Sequence, residues 1–153
     1  MGRMSTKYRV QNPKNNEIVE SFDFITDDEL ETALATANDT FKQWREKSFE
    51  ERAEVLRKVA KLFDEQRAEL TRIIAEEMGK SVKEGDGEID DVVEIFNYYA
   101  DNGAEFGADE EIPNQRGGTS VMRKVPLGVI LGIMPWNFPY YQVARFAAPV
   151  SYT

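Results

Sequence analysis

Two residue types that often serve in catalysis are missing from this 153-residue chain, which has no cysteine and no histidine. Their absence excludes a thiolate nucleophile, a Ser-His-Asp or Cys-His pair and a disulfide. It also removes the usual zinc ligands, so we expect no metal site. A chain without cysteine fits a reducing compartment.

Long hydrophobic runs are also missing. The longest, residues 125–134, is far shorter than the roughly 20 apolar residues that a membrane helix needs. The N-terminus leads directly into polar sequence and carries no secretory signal pattern. We therefore expect a soluble cytoplasmic protein that does not associate with membranes.

Acidic residues are scarce in one part of the chain only. The net charge is −9, and no Asp or Glu follows Gln115. Residues 1–115 carry −13, whereas Arg116, Arg123, Lys124 and Arg145 give the remainder +4. The acidic body disfavours nucleic-acid binding and most simply keeps the protein in solution. The basic and apolar end could suit an anionic ligand.

The acidic part predicts a β-hairpin followed by three amphipathic helices. Two β-prone runs flank a turn cluster at residues 12–16. Each helix begins with a Ser/Thr-x-x-Glu capping box, and its apolar residues recur at helical spacing and predict a core. The boxes and predicted ends are Thr26–Glu29 with a helix to about 46, Ser48–Glu51 with a longer helix to Gly79, and Ser81–Glu84 with a helix to near Gly107.

The remainder predicts strands. A polar loop at 111–118 is followed by alternating residues at 119–125, which indicate a half-exposed strand. The wholly apolar segment 128–134 is typical of a strand buried on both faces. A short helix over 140–148 follows it. The fold class is therefore α/β.

The turn Pro135–Pro139, Pro-Trp-Asn-Phe-Pro, follows the predicted buried strand, where α/β proteins place their ligands. The two prolines restrict the backbone around Asn137. The rings of Trp136 and Phe138 can exclude water. A fixed carboxamide there suits the stabilisation of negative charge on a carbonyl oxygen, although a simple turn asparagine is the more common alternative.

A cation follows the turn. Arg145 lies about one and a half turns into the predicted helix, where a guanidinium could make a two-point contact with a substrate carboxylate. The alternative is a solvated or structural arginine. Neither a Gly-x-Gly-x-x-Gly dinucleotide fingerprint nor a P-loop follows the predicted strand.

Residues 124–139, Lys-Val-Pro-Leu-Gly-Val-Ile-Leu-Gly-Ile-Met-Pro-Trp-Asn-Phe-Pro, resemble the segment of NAD(P)-dependent aldehyde dehydrogenases that leads into the cofactor site. The resemblance covers nearly the whole chain, and residues 142–145 are most similar to the bacterial succinate-semialdehyde dehydrogenases of this family. The upstream residues that carry it are Asn12-Pro13, Trp44-Arg45, Arg52-Ala53, Glu77-Met78-Gly79-Lys80 and Tyr98-Tyr99-Ala100.

The resemblance implies a role for each residue of the turn region. Asn137 would be the oxyanion-hole amide, and it would contact the dinucleotide, NAD or NADP, together with Met134, Pro135 and Trp136. Phe138 and Tyr141 would line the aldehyde tunnel, and Arg145 would bind the distal carboxylate of succinic semialdehyde. Strand 119–125 would be an oligomerisation arm of a homo-oligomer.

The chain also departs from the family pattern. The nucleophilic cysteine, the general-base glutamate and the ribose-binding lysine of the family all fall beyond residue 153. We therefore expect a truncated or frameshifted gene or an expressed N-terminal part, inactive alone. The alternative is a non-catalytic remnant or interaction module that associates with full-length subunits.

The same resemblance divides the chain into three parts. Residues 1–118 would be the helical part of the cofactor-binding domain, residues 119–126 the arm, and residues 127–153 the first Rossmann-like strand, the turn and the start of a helix. The fold would be incomplete and the catalytic domain absent. A lone buried-type strand leaves an unpaired apolar edge, so we expect self-association or partial order after Gly118.

Overall fold

A computed structural model describes residues 8–115 and 117–152. Residues 1–7, Arg116 and Thr153 lie outside the described residues. The parts of the predicted segments that fall on them are therefore not described. The elements in chain order are β1 (Tyr8–Gln11), β2 (Ile18–Phe22), α1 (Asp27–Trp44), α2 (Phe49–Glu65), α3 (Arg67–Met78), α4 (Val82–Phe106), β3 (Glu110–Ile112), β4 (Ser120–Met122) and α5 (Pro139–Tyr152).

The N-terminal hairpin is confirmed. β1 and β2 pair antiparallel, with Tyr8 opposite Phe22. The backbone N–H of Asn12 donates to the carbonyl of Glu17 at 2.9 Å and closes the turn. Asn16 has a φ of 62°, a left-handed conformation that asparagine tolerates better than most residues.

The predicted helix starts are confirmed by their caps. Thr26 and Ser48 each form a complete capping box, with Glu29 and Glu51 respectively. The hydroxyl of Ser81 accepts the backbone N–H of Glu84 at the start of α4. Gly79 ends α3 with a φ of 76°, a conformation in which a side chain would be strained.

The single long helix predicted from Ser48 to Gly79 is wrong, because Gln66 separates α2 from α3 with φ and ψ of −97° and 9°. No glycine or proline marks this break. Arg67 follows it and pairs with Asp64 of α2 and with Asp86 and Asp90 of α4. Arg67 thereby joins the start of α3 to both α2 and α4.

The core lies where α2, α4 and α5 meet. Its central members are Ala53, Leu56, Ala60, Val92, Phe96, Ala100, Ala144, Ala148 and Tyr152. The prediction that all three apolar stripes are core is wrong for α1, which has no buried residue. Leu30 and Leu34 of α1 are 44% and 52% exposed.

Two strand predictions need correction. Residues 111 and 112, predicted to begin a loop, belong to β3, which pairs antiparallel with β4. The strand predicted at 119–125 is shorter than expected, because β4 has only three residues. The buried strand predicted at 128–134 is not formed: the backbone has no sheet partner among the described residues, and Leu131 and Ile133 are 84% and 85% exposed. A strand needs at least one neighbouring strand to pair with its backbone, and the described residues offer none to this segment.

Two absences hold for the parts of the chain that the structure describes. No group of three or more acidic side chains is arranged to hold a metal ion. No described helix combines the length and the apolar character that crossing a membrane requires.

Candidate functional site

The turn Pro135–Pro139 links residues 123–134, which form neither helix nor strand, to α5. Its tip is open: Trp136 is 75% exposed, and Asn137 is also exposed. The carboxamide of Asn137 makes no hydrogen bond with the described residues, so both of its N–H donors are available to a ligand. The backbone on either side therefore fixes the direction of the Cα–Cβ bond of Asn137, and no hydrogen bond with the described residues fixes the carboxamide beyond it.

A carboxylate from α4 caps the first turn of α5. Phe138 precedes the helix, and its carbonyl accepts the backbone N–H of Gln142 at 3.0 Å. Its phenyl side chain cannot accept the free N–H groups of the next turn, as a Ser, Thr, Asp or Asn side chain would. Glu88 accepts them instead, from Tyr140 at 2.8 Å and from Tyr141 at 3.0 Å.

The charge of Glu88 is balanced by Lys80, which follows Gly79 at the end of α3. The two side chains form an ion pair and are 0% and 7% exposed, respectively. The ammonium of Lys80 also lies 3.6 Å from the ring centroid of Phe138. One buried pair therefore contacts both ends of the Phe138–Tyr140 segment.

The other end of α5 is also bound to the helical body. The guanidinium of Arg52 donates to the carbonyl of Tyr152 at 2.6 Å, and the indole of Trp44 donates to the carbonyl of Ser151 at 2.8 Å. These are carbonyls of the last helical turn, which lack partners within a helix. Side chains of α1 and α2 therefore satisfy the C-terminal end of α5.

Tyr140 adds a contact near the start of α5. Its hydroxyl donates to the carbonyl of Leu70 at 3.1 Å, and its ring meets Phe63 edge-on at 5.8 Å between centroids. Burial, and then the negative charges of Glu77, Glu88 and Glu69, raise the pKa of Tyr140 to about 12. The phenol therefore stays neutral and donates its hydrogen bond over the ordinary pH range.

The three residues predicted to bind the substrate lie next to one another, Phe138 just before α5 and Tyr141 and Arg145 within it. The rings of Phe138 and Tyr141 meet at 6.2 Å and 66°, and the guanidinium carbon of Arg145 lies 5.5 Å from the Tyr141 ring centroid. Arg145 is exposed and faces a shallow polar pocket that Asp91 and Glu94 also line. A ligand carboxylate would compete with these two carboxylates for the guanidinium.

The predicted cofactor residues lie on the other side of the turn. Met134 is half-buried, and Pro135 and Trp136 are exposed. Residues 124–130, which precede them, border an open apolar cavity of about 800 Å³. The C-terminal ends of α1, α4 and α5 also line this cavity. Met134, Pro135 and Trp136 are not part of the cavity lining, but Pro135 and Trp136 are exposed and leave one surface that a dinucleotide can contact. Residues 125–139 contain no cation that could pair with phosphates.

The sequence reasoning missed Lys80 and Glu88 as parts of this site. Lys80 belongs to the Glu77–Lys80 segment that carried the family resemblance, but no role was assigned to it. Glu88 lies beside Ile89, and both are buried. A carboxylate next to the apolar stripe of α4 was the feature of the sequence that could have indicated a functional or structural role for Glu88. A buried carboxylate requires a partner, although its partner 52 residues away could not be read from spacing.

Comparison with known proteins places these residues in context. The curated relatives include the succinate-semialdehyde dehydrogenase [NADP(+)] of Deinococcus radiodurans, which is 38% identical over 147 residues, or 96% of this chain and 31% of the relative. A probable enzyme of the same name from Synechocystis is 37% identical over 90% of this chain and 30% of its own length. The chain thus spans about a third of the curated relatives it matches.

Solved structures give the same result. Succinic semialdehyde dehydrogenase from Streptococcus pyogenes, in complex with NADP+, superimposes with a TM-score of 0.89 at 37% identity, over 94% of this chain and 31% of that one. Betaine aldehyde dehydrogenase from Staphylococcus aureus, in complex with NAD+, gives 0.87 at 28% identity, over 97% and 30%. With residues 2–152 matching the aldehyde dehydrogenase family, the chain belongs to that family.

Proposed function

We propose that this chain is the N-terminal portion of an NAD(P)-dependent aldehyde dehydrogenase that oxidises succinic semialdehyde to the carboxylate. The observation that carries the proposal is the Pro135–Pro139 turn, which presents the unpartnered carboxamide of Asn137 beside a helix bound at both ends. The names of the curated relatives support the substrate. The three-part division at residues 118 and 126 remains part of this proposal.

In this proposal Asn137 donates a hydrogen bond to the oxygen on which negative charge develops when the aldehyde carbon is attacked. A preorganised donor of this kind contributes about 3 to 4 kcal/mol to lowering the barrier. Met134, Pro135 and Trp136 form one wall for the dinucleotide, whose chemistry when bound is to accept a hydride. NADP-dependent and NAD-bound relatives both occur, so the proposal includes either cofactor.

Substrate choice is assigned to Phe138, Tyr141 and Arg145. Phe138 and Tyr141 supply an apolar surface for the carbon chain, and Arg145 supplies a fork of N–H donors for the distal carboxylate. Stacking on Tyr141 restricts the guanidinium and reduces the entropy lost on binding. Homo-oligomer formation through the arm at residues 119–126, which contains β4, and a cytoplasmic location complete the proposal.

The 153-residue chain alone is proposed to be inactive, because it contains no cysteine to form the covalent intermediate that the family resemblance implies. Pure chain incubated with succinic semialdehyde and NADP or NAD should therefore produce no NAD(P)H. Steady production would contradict this part of the proposal. The complementary experiment supplies the missing length.

A chimera provides that experiment. Residues 8–152 replace the matching segment of the Deinococcus radiodurans relative, and NADPH formation from succinic semialdehyde is measured. Asn137→Ala should lower kcat about 100- to 1,000-fold. The control Asn38→Ala removes an exposed amide on α1 and should leave kcat unchanged. Equal kcat for the two variants would overturn the role of Asn137.

The same chimera tests substrate choice. Arg145→Met should raise KM for succinic semialdehyde at least about tenfold, because one charge-assisted contact is worth at least 1.4 kcal/mol. KM for an aldehyde of the same length without a carboxylate should not change. If both KM values rise together, Arg145 supports the pocket rather than recognising the carboxylate.

A second candidate function is a non-catalytic interaction module, and the exposed apolar segment 127–133 favours it. Leu127, Leu131 and Ile133 are 92%, 84% and 85% exposed, and such surface promotes association with other subunits. Mixing tagged chain with the intact Deinococcus radiodurans relative and measuring mixed oligomers tests this candidate. If no mixed oligomers form and the chimera is active, the interaction module is rejected and the enzymatic proposal is retained.

A further inference from the structure

The ion pair of Lys80 and Glu88 differs from the other ion pairs that the structure describes. Those pairs have at least one substantially exposed side chain, whereas Glu88 is 0% exposed and Lys80 is 7% exposed. Removing two charges from water is costly, and a buried pair often adds little net stability compared with apolar side chains. Its contacts with the turn offer a different reason for its presence.

Both oxygens of Glu88 are used. Oε2 accepts from Lys80, and Oε1 accepts the backbone N–H groups of Tyr140 and Tyr141. These two N–H groups are the ones that a side chain just before the helix normally satisfies. A carboxylate at this end of α5 is also favoured by the helix dipole. Glu88 is therefore a cap supplied by another helix.

Lys80 binds the residue on the other side of Pro139. Its ammonium lies over the face of Phe138 at 3.6 Å from the centroid, a favourable cation–π geometry. Phe138 directly follows Asn137, whose own carboxamide makes no hydrogen bond with the described residues. The position of the Asn137 backbone, and with it the direction of its Cα–Cβ bond, consequently depends on neighbours that Lys80 and Glu88 contact.

We propose that Lys80 and Glu88 are positioning residues for the turn, and that their pair holds Phe138 and the first turn of α5 so that Asn137 projects in one direction. The catalytic meaning of that direction rests on the proposed function. The positioning itself is a property of this chain and can be measured without any activity.

Hydrogen exchange of the 153-residue chain, followed by NMR, provides the measurement. The test variant Lys80→Met/Glu88→Leu replaces the pair with apolar side chains of similar size, which often preserves stability. Protection of the Tyr140 and Tyr141 amides should fall at least about tenfold, while protection of the Ala148 amide in the middle of the core stays within about twofold. The side-chain amide signals of Asn137 should shift and broaden.

The control variant Lys83→Met/Glu105→Leu makes the same two changes at exposed positions of α4. It should change neither the two amides nor the Asn137 signals. If the test variant resembles this control, the proposal is overturned. A role confined to global stability would lower protection at Ala148 as much as at Tyr140 and Tyr141, and that outcome also overturns it.

Glu88→Gln covers the case in which the double variant does not fold. Glutamine keeps the size of the side chain and one acceptor oxygen but loses the charge. The signals of the Tyr140 and Tyr141 amide protons and of the Asn137 carboxamide should shift, with the rest of α5 unchanged. Unchanged signals at these three residues would overturn the proposal.

The chimera separates this inference from the proposed function. There, Glu88→Gln should lower kcat at unchanged KM, because a misdirected oxyanion donor weakens binding of the transition state alone. If the unsubstituted chimera is inactive although Tyr140 and Tyr141 are protected in the chain, the proposed function fails and the positioning stands. If the chimera is active and Glu88→Gln changes neither kcat nor the amide signals, the positioning fails alone.

Discussion

The ring of Tyr152 packs against Gly103, and a Cβ at position 103 would overlap the ring. The absence of a side chain at Gly103 therefore allows α4 and α5 to approach closely. Both residues are buried. The backbone carbonyl of the same residue, Tyr152, accepts a hydrogen bond from Arg52. Close packing and a hydrogen bond therefore fix the same end of the helix that follows the turn.

Gly103→Ala should destabilise the protein by about 1 to 3 kcal/mol, because its methyl group would overlap the Tyr152 ring in a packed interior. Gly87→Ala on the same helix is the control, since nothing lies within 4 Å of its added Cβ. That variant should stabilise by about 0.5 to 1 kcal/mol through helix propensity. Urea unfolding measures both free energies, and a Gly103→Ala variant as stable as Gly87→Ala would contradict the close approach.

Arg52→Met should lower the free energy of unfolding by about 2 to 4 kcal/mol. The guanidinium makes a buried charge-assisted hydrogen bond to the carbonyl of Tyr152 and part-buried ones to the carbonyl of Lys47, and their loss leaves the buried carbonyl of Tyr152 without this partner. Arg72→Met is the matched control, since its pairs with Glu69 and Glu76 are exposed and should be worth at most about 1 kcal/mol. Equal losses in urea unfolding would show that Arg52 contributes no more than a surface charge.

How far the sequence predicts this fold depends on the distance over which each contact acts. The capping boxes at Thr26 and Ser48 and the C-terminal Gly79 act within one helical turn, so sequence spacing located them. The break at Gln66 coincides with contacts that Arg67 makes to Asp86 and Asp90 of another helix. No local signal could have predicted it.

The candidate site divides in the same way. Asn137, Phe138 and Tyr141 stand in one short segment, so the motif identified them as candidates, and their assigned roles stay predictions. Glu88 reaches that segment from α4 across 52 residues, and only the structure reveals the contact. The apolar segment 128–134 has the composition of a buried strand, yet a strand exists only when its neighbours supply hydrogen-bond partners.

The stability of the protein should fall at high pH because of Tyr140. Its folded pKa of about 12 lies above the ordinary value of 10. The folded state therefore holds the phenolic proton more tightly than the unfolded state, and this contribution is complete below pH 10 and disappears as the pH rises to 12. Allowing for solvent screening at a partly buried group, the change is on the order of 1 to 2 kcal/mol.

Tyr140→Phe checks this pH dependence. The variant loses the hydrogen bond to Leu70 and should be less stable by about 1 kcal/mol at neutral pH, but its stability should fall less between pH 10 and 12. Tyr8→Phe, which removes a phenol that is 65% exposed, is the control for the loss of any one tyrosine. Equal slopes for all three proteins would contradict the raised pKa.

The segment 127–133 should cause self-association of the isolated chain. Its backbone lacks a sheet partner among the described residues, and its apolar side chains are exposed, so a second copy can pair along this edge and cover them. Leu131→Lys/Ile133→Lys places charges on the edge, the device by which natural edge strands avoid pairing. Sedimentation should show an association constant at least about tenfold lower, a loss of 1.4 kcal/mol or more. Leu62→Lys replaces an exposed leucine on α2 and should leave association unchanged. A monodisperse monomer before any substitution would contradict the prediction, as would equal association constants for the double variant and the Leu62 control.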